Sequence, residues 1–289
     1  MAVMMEALCD MMKYNEFKER AFNEIMAYMP EEYENYKIQI NRIPKLNQTK
    51  ETLYIYPEHG VAAIPSLYID DMYNVYMRGA SFEDTLRMTV REYVEGMEMG
   101  KEMGLANEEM ISESNVILQL VNPNKNGEIL DAAPHRKWLN LAIIYRFVLF
   151  FPGRGCYSTV INNAIAEEHG WSEEYLYQIA MKNTPRIFPQ ITGKFKESFH
   201  VLTNKQGMMG ASVVLYDDVL SDIAESENDD LYLIPSSVHE MLAVPKYTVW
   251  GNTLNDMLRE GNREIIESKD ILSDTVYFYD RRKREVSIA

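Results

Sequence analysis

Apolar residues recur every fourth position at Phe17, Ala21, Ile25 and Met29, which predicts an amphipathic helix over residues 14–29, ended by Pro30. The period then changes. Residues 37–43 alternate, with Ile38 and Ile40 on one face. Residues 52–56 and 61–64 flank Pro57-Glu58-His59-Gly60, the pattern of a β-meander with a four-residue turn. Helical spacing returns over 67–78 and stops at Gly79. Ser81, with Asp84 three residues on, opens a second helix whose buried face is Phe82, Leu86, Val90, Tyr93 and Met97. Residues 98–113 are acidic and methionine-rich, and Gly100 and Gly104 weaken a helix there.

Residues 116–121 form an apolar run of strand length. Asn122-Pro123-Asn124-Lys125-Asn126-Gly127 concentrates turn formers, and the expected domain boundary falls on it, between halves 12–122 and 128–289. Beyond it, 139–151 and 157–162 read as strands joined through Pro152-Gly153-Arg154-Gly155. Ser172 caps a helix with Glu173 and Glu174 in its first turn, where negative charge suits the helix dipole. Leu176, Ile179 and Ala180 face inward, and Pro185 is expected to close this helix. Residues 199–203 and 211–216 are predicted as a hairpin, and Asp217 or Asp218 as the cap of a helix over 219–225. Short strands at 231–234 and 241–244 flank Ser236-Ser237-Val238-His239-Glu240. A helix over 252–267 is predicted to bury Leu254, Leu258 and Ile265, and 276–280 with 285–288 close the chain as a hairpin. Strands arrive mostly in hairpins with helices between the pairs. The predicted class is therefore α+β, with mostly antiparallel sheets and interspersed helices in two similar-sized halves.

With 46% hydrophobic and 25% charged residues, the 289-residue chain has the makings of a sizeable core. No window approaches the roughly 18 uninterrupted apolar residues of a membrane helix, so no membrane partner is expected. Residues 1–10 carry Glu6 and Asp10 and lack the basic start of a secretory signal; the methionines at 1, 4, 5, 11 and 12 place an alternative start at Met12. Cys9 and Cys156 are too few for a disulfide framework or a thiolate metal site, which fits a reducing cytoplasm. A net charge of −15, from 29 basic and 44 acidic residues, argues against a general nucleic-acid binder. The one basic run, Arg281-Arg282-Lys283-Arg284, reads as a solvated turn.

Candidate chemistry centres on Ser236, Ser237, His239 and Glu240. Ser237 and Glu240 match the S-x-x-E capping box, in which the hydroxyl accepts from the Glu240 amide. Catalysis would instead need one serine as nucleophile, an imidazole within reach and a third group to orient it; the G-x-S-x-G elbow is absent. The five histidines (59, 135, 169, 200 and 239) are scattered singly, so no metal site is assigned. No glycine pattern matches a nucleotide-binding loop, and no cofactor is assigned. Asn183-Thr184-Pro185-Arg186 reads first as a rigid helix stop, and secondly as an anion-binding fork built on Arg186 and Asn183. Tyr68, Tyr73 and Tyr76, on one expected helix, are candidates for an exposed aromatic strip that binds a partner.

The combination of Asn183-Thr184-Pro185-Arg186-Ile187-Phe188-Pro189, Val201-Leu202-Thr203-Asn204, Leu233-Ile234-Pro235-Ser236-Ser237-Val238-His239-Glu240 and Leu272-Ser273-Asp274 resembles a family of unknown function, numbered five-six-eight-eight. The resemblance runs from about Phe17 to Asp280. It implies a bacterial, cytoplasmic protein of gut anaerobes, of a kind carried on phage or mobile elements, with no catalytic residues to transfer. Two function classes follow. The leading one is a non-enzymatic binding or regulatory protein with a protein partner. The alternative is a hydrolase or transferase using Ser236 or Ser237, His239 and a carboxylate.

Overall fold

Alternating and helical stretches sort into two compact units in a computed structural model that describes residues 11–58, 64–102, 112–151, 155–195, 199–248 and 251–289. The first unit takes the described residues within 1–45 and 49–110; the second takes 46–48 and 111–289. Sequence features at Cys9, His59, Gly104, Gly153 and most of the expected strand 61–64 lie outside the described residues.

In the first unit, α1 (Tyr14–Glu24) continues as a 3-10 turn, Ile25–Tyr28. β1 (Lys37–Lys45) and β2 (Gln48–Tyr56) form a hairpin, and β3 (Leu67–Tyr68) adds to β2 antiparallel. α2 (Ile69–Met77) and α3 (Phe82–Glu102) follow. All five residues of the expected α3 face are buried, and Phe17, Ala21 and Ile25 of the first helix join them in one core. Ser81 caps α3 as its sequence predicts, its hydroxyl accepting the Asp84 amide at 3.0 Å. α3 runs through Gly100, which is buried in it, to Glu102.

The second unit comprises β4 (Val116–Val121), α4 (Gly127–Ala132), β5 (His135–Trp138), β6 (Leu141–Phe151), β7 (Gly155–Val160), α5 (Asn163–Glu168), α6 (Glu173–Ile187), β8 (Gln190–Phe195), β9 (Phe199–Asn204), α7 (Val219–Glu227), β10 (Leu231–Ser237), β11 (Glu240–Pro245), α8 (Gly251–Glu264), β12 (Tyr277–Asp280) and β13 (Glu285–Ile288). Two antiparallel sheets carry it. β6 is flanked by β4 on one side and by β5 and β7 on the other, and six strands run β13-β12-β10-β11-β9-β8. Both sheets and α6 share a core that includes Leu118, Tyr145, Phe147, Leu176, Ala180, Leu233 and Ala243. The fold is α+β. β4 pairs with β6 along its whole length, so it belongs to this unit, and the division falls ahead of it at 110/111 and not at the 122–127 loop.

β4 is an edge strand, and its outward amides would be exposed to any competing strand. Here they are already taken. The Thr184 hydroxyl on α6 accepts the Leu118 amide at 3.0 Å, and the Ser212 hydroxyl accepts the Leu120 amide at 3.0 Å. Thr184 and Ser212 are both 2% exposed.

Four local expectations are corrected. Pro185 lies inside α6 and does not close it: in the last turn its missing N–H forfeits one bond, and the helix continues to Ile187 with Phe188 donating to the Thr184 carbonyl at 2.8 Å. Residues 211–216 are not a strand but lie mostly in a 3-10 turn, Gly210–Leu215. The segment is buried from Gly210 to Val214, without the alternation a half-buried strand shows, and β9 pairs with β8 and β11 instead. Asp218 precedes α7 with φ 63° and makes no side-chain cap; its carboxylate accepts from Arg284. Ile265 is 80% exposed, because α8 ends at Glu264 and the amides of Ile265 and Ile266 both turn to the Gly261 carbonyl.

Candidate functional site

The Ser236–Glu240 segment is a β-turn between paired strands, not the start of a helix. Ser237 and Glu240 face each other across the β10–β11 hairpin, so the expected capping box is replaced by other bonds. The Ser237 hydroxyl accepts the His239 amide at 3.0 Å, and the Ser236 hydroxyl donates to Glu240 Oε1 at 2.8 Å. His239 Nδ1 accepts the Met209 amide at 3.3 Å, and Nε2 lies 3.4 Å from Asp270 Oδ1. Both ring nitrogens are thereby engaged away from the two serines. Behind the turn, the His239 carbonyl accepts from Thr203 Oγ1 at 2.8 Å, and a Cβ at Gly210 would lie 2.2 Å from that carbonyl oxygen.

A cluster of titratable groups gathers where α7 ends. Glu227 accepts from Lys194 at 2.9 Å, from His200 Nε2 at 2.7 Å and from the Tyr247 hydroxyl at 3.1 Å. The Lys194 and His200 bonds hold its carboxyl down to about 2, against the opposing effect of burial. This cluster ties β8, β9 and the segment after β11 to the end of α7.

A cleft of about 630 Å³ lies elsewhere in the second unit. Its walls are Trp138 at the end of β5, Tyr177 and Met181 from α6, Leu215 from the 3-10 turn, and the cross-strand pair Tyr279 and Val286. On α6 the inward stripe is Leu176, Ala180 and Thr184, so Tyr177 and Met181, one position on, look sideways and stay half-buried. Tyr279 is buried because it stands on the inward face of β12, while Trp138 rests against Tyr277 with ring centroids 5.6 Å apart.

Polar groups supply much of the cleft's lining. Arg284 donates to Asp218 at 2.8 Å and to the Ser221 hydroxyl at 2.6 Å. Bonding to the Tyr279 hydroxyl, and then to Asp218, raises its pKa further. Asp217, exposed beside it, makes no side-chain hydrogen bond or ion pair among the described residues. Near Tyr177, the Arg136 guanidinium lies 3.9 Å from the ring centroid and is bonded to Glu173 by two 2.9 Å contacts and also to Glu174. Burial pushes the Glu173 carboxyl up, but bonds from Arg136 and the Tyr145 hydroxyl outweigh it and hold the group below the usual range.

The chain matches the model of a family described as "Family of unknown function (DUF5688)" over residues 14–197 and 190–281. The chain belongs to this family. No curated protein and no solved structure matches it. The segments through which the sequence resembles DUF5688 have visible structural work. Asn183 donates to the Glu113 carbonyl at 2.7 Å, Thr184 receives the Leu118 amide, and Arg186 donates to the Ser114 carbonyl. Asn183 and Arg186 thus fasten the turn that feeds β4. Asn204 similarly organises its own loop, donating to the Met208 carbonyl at 2.6 Å.

Tyr68, Tyr73 and Tyr76 do not form an exposed strip in this DUF5688 chain. Tyr76 is 9% exposed and Tyr73 half-buried, both packed around Phe17 at centroid distances of 5.4 Å. The Tyr76 hydroxyl accepts the Met12 amide at 2.9 Å, and the Tyr73 hydroxyl donates to the Met12 carbonyl at 3.1 Å. Tyr68 lies outside that cluster, its ring under Lys50 at 4.7 Å. Among the described residues no group of three or more His, Cys, Asp or Glu side chains is placed to hold a metal, and no helix is long and apolar enough to cross a membrane. Sequence reasoning assigned no cleft residue to a site: Asp217 or Asp218 was expected as a helix cap and Arg284 as part of a solvated turn. Trp138, Tyr177, Asp217 and Arg284 stand on separate segments, and the only local hint is Tyr177 and Met181, four apart beside the inward stripe of α6.

Proposed function

We propose that the protein is a non-enzymatic binding protein whose recognition site is the cleft bounded by Trp138, Tyr177, Met181 and Leu215. The observation that carries this reading is the cleft itself. At about 630 Å³ it falls within the roughly 300–1,000 Å³ of ligand pockets, and it sets aromatic side chains beside a largely polar lining. Aromatic side chains supply large contact area at small entropic cost, which is why they dominate recognition surfaces. The Ser/His/carboxylate alternative is the weaker one, because the hydrogen bonds of Ser236, Ser237 and His239 are spent on the hairpin and its neighbours.

The test is a mixture of small aromatic and aliphatic compounds added to ¹⁵N-labelled protein. Ligands are expected to move the Trp138 indole resonance and the amides of residues 214–220, and to lose their effect in Trp138→Ala. Shifts confined to the Ser236–Glu240 turn would overturn the proposal in favour of the alternative.

A further inference from the structure

The cleft has a charge pattern that selects among ligands. Arg284 is committed to Asp218, Ser221 and Tyr279, and Arg136 to Glu173 and Glu174. The charged residues that line the cleft are Asp217, Asp218 and Arg284, a net charge of 1 − 2 = −1. Among these, Asp217 alone has no partner among the described residues. Placing an anion beside it would set like charges together, whereas a cation would complete an ion pair.

The aromatic walls point the same way. Tyr177 already hosts one guanidinium on its ring at 3.9 Å, and Trp138 presents the aromatic system with the strongest attraction for a cation. Met181, Leu215 and Val286 provide apolar surface for the rest of a ligand. The net charge of −15 steers cations toward the molecule before contact.

Resting on the cleft reading above, we infer that the ligand carries a cationic group, a primary amine or guanidinium, on an aromatic or apolar body. The cation pairs with Asp217, and the body lies between Trp138 and Tyr177. Such a group is supplied either by a free amine or by a basic side chain in a short peptide.

The test titrates the full-length protein with phenethylamine, 2-phenylethanol, phenylacetate and the peptide acetyl-Phe-Arg-amide, following the Trp138 indole and the amides of residues 214–220. Phenethylamine is expected to bind about tenfold more tightly than phenylacetate, and to weaken as salt is raised. Asp217→Asn should weaken phenethylamine by about two- to fivefold, the scale of an exposed ion pair, and leave 2-phenylethanol unchanged. Glu225→Gln, which removes an exposed acid on α7 outside the cleft, should change neither. The Asp217 side chain makes no bond among the described residues, and its carbonyl still accepts the Val219 amide, so the variant is expected to fold. The peptide binding more tightly than phenethylamine identifies a peptide source, and the reverse a free amine; either order supports the inference. Phenylacetate or 2-phenylethanol binding as tightly as the amine overturns the cationic assignment while the cleft reading stands. If no probe moves the cleft resonances at millimolar concentration, both fall.

Discussion

Thr184→Val isolates the hydroxyl that seals the edge of β4. Valine keeps the β-branched shape and nearly the volume, so no cavity is expected at a side chain that is 2% exposed. What changes is the Leu118 amide, which loses its 3.0 Å acceptor while Leu118 itself is 1% exposed. A buried donor left without an acceptor costs about 1–3 kcal/mol, more than the net worth of the bond it lost. The hydroxyl's own 2.6 Å donation to the Ala180 carbonyl disappears too, but that carbonyl lies in a helix and retains its main-chain partner. For a unit of this size, about 1–3 kcal/mol corresponds to a fall in Tm of roughly 3–10 °C by calorimetry. Native-state hydrogen exchange should show the Leu118 amide losing protection more than its neighbours in β4. Thr184→Ser, which restores the hydroxyl, should recover most of the loss. A Thr184→Val protein with Tm within 1 °C of the parent and an unchanged Leu118 exchange rate would refute the reasoning.

Four further outcomes follow from the geometry. Gly210→Ala should destabilise the second unit by at least about 1–3 kcal/mol, because the new Cβ would lie 2.2 Å from the His239 carbonyl and 2.4 Å from Thr203 Oγ1; chemical denaturation measures it. The Glu227 carboxyl is depressed to about 2 in the folded state, so its stabilisation is full above the ordinary carboxylate range and is lost as pH falls from about 4.5 to about 2. In Glu227→Gln the urea midpoint should therefore vary less with pH across that window, and an unaltered slope would count against the cluster. A serine-directed fluorophosphonate should label neither Ser236 nor Ser237, and Ser237→Ala should lower stability by about 0.5–1.5 kcal/mol through loss of the His239 amide bond; labelling abolished in that variant would restore the hydrolase alternative. Leu258→Ala should cost about 2–5 kcal/mol, whereas Ile265→Ala should stay within about 0.5 kcal/mol in thermal unfolding, since the first side chain is buried and the second is in solvent.

Periodicity carried far where a segment had one clean face. The α3 stripe from Phe82 to Met97, the Ser81 and Ser172 caps, the buried run of β4 and the closing β12–β13 hairpin were all legible, because local spacing and capping chemistry agree with the packing. Short apolar runs were less so. Ala-Ser-Val-Val-Leu has no distinguishing period, and its 3-10 form follows from Gly210 having to pass close to the His239 carbonyl, a contact between distant segments. Pro185 was misread because a proline's effect depends on its place in the helix, and Ile265 because the helix ends just before it. The Ser237-x-x-Glu240 pattern means a cap only when a helix follows; here a strand does. The cleft left almost no trace in the sequence, since its walls come from five stretches that the two sheets bring together.

The six residues of β4, Val-Ile-Leu-Gln-Leu-Val, are uncharged, lack proline and glycine, and have high strand propensity, the composition of segments that assemble into fibrils. Two hydroxyls on neighbouring elements keep this ribbon from recruiting others. Self-assembly of this protein should therefore begin with a local event, α6 lifting from its seat, and not with melting of the whole. Conditions that loosen that helix while sparing the sheets would turn a sealed edge into a template.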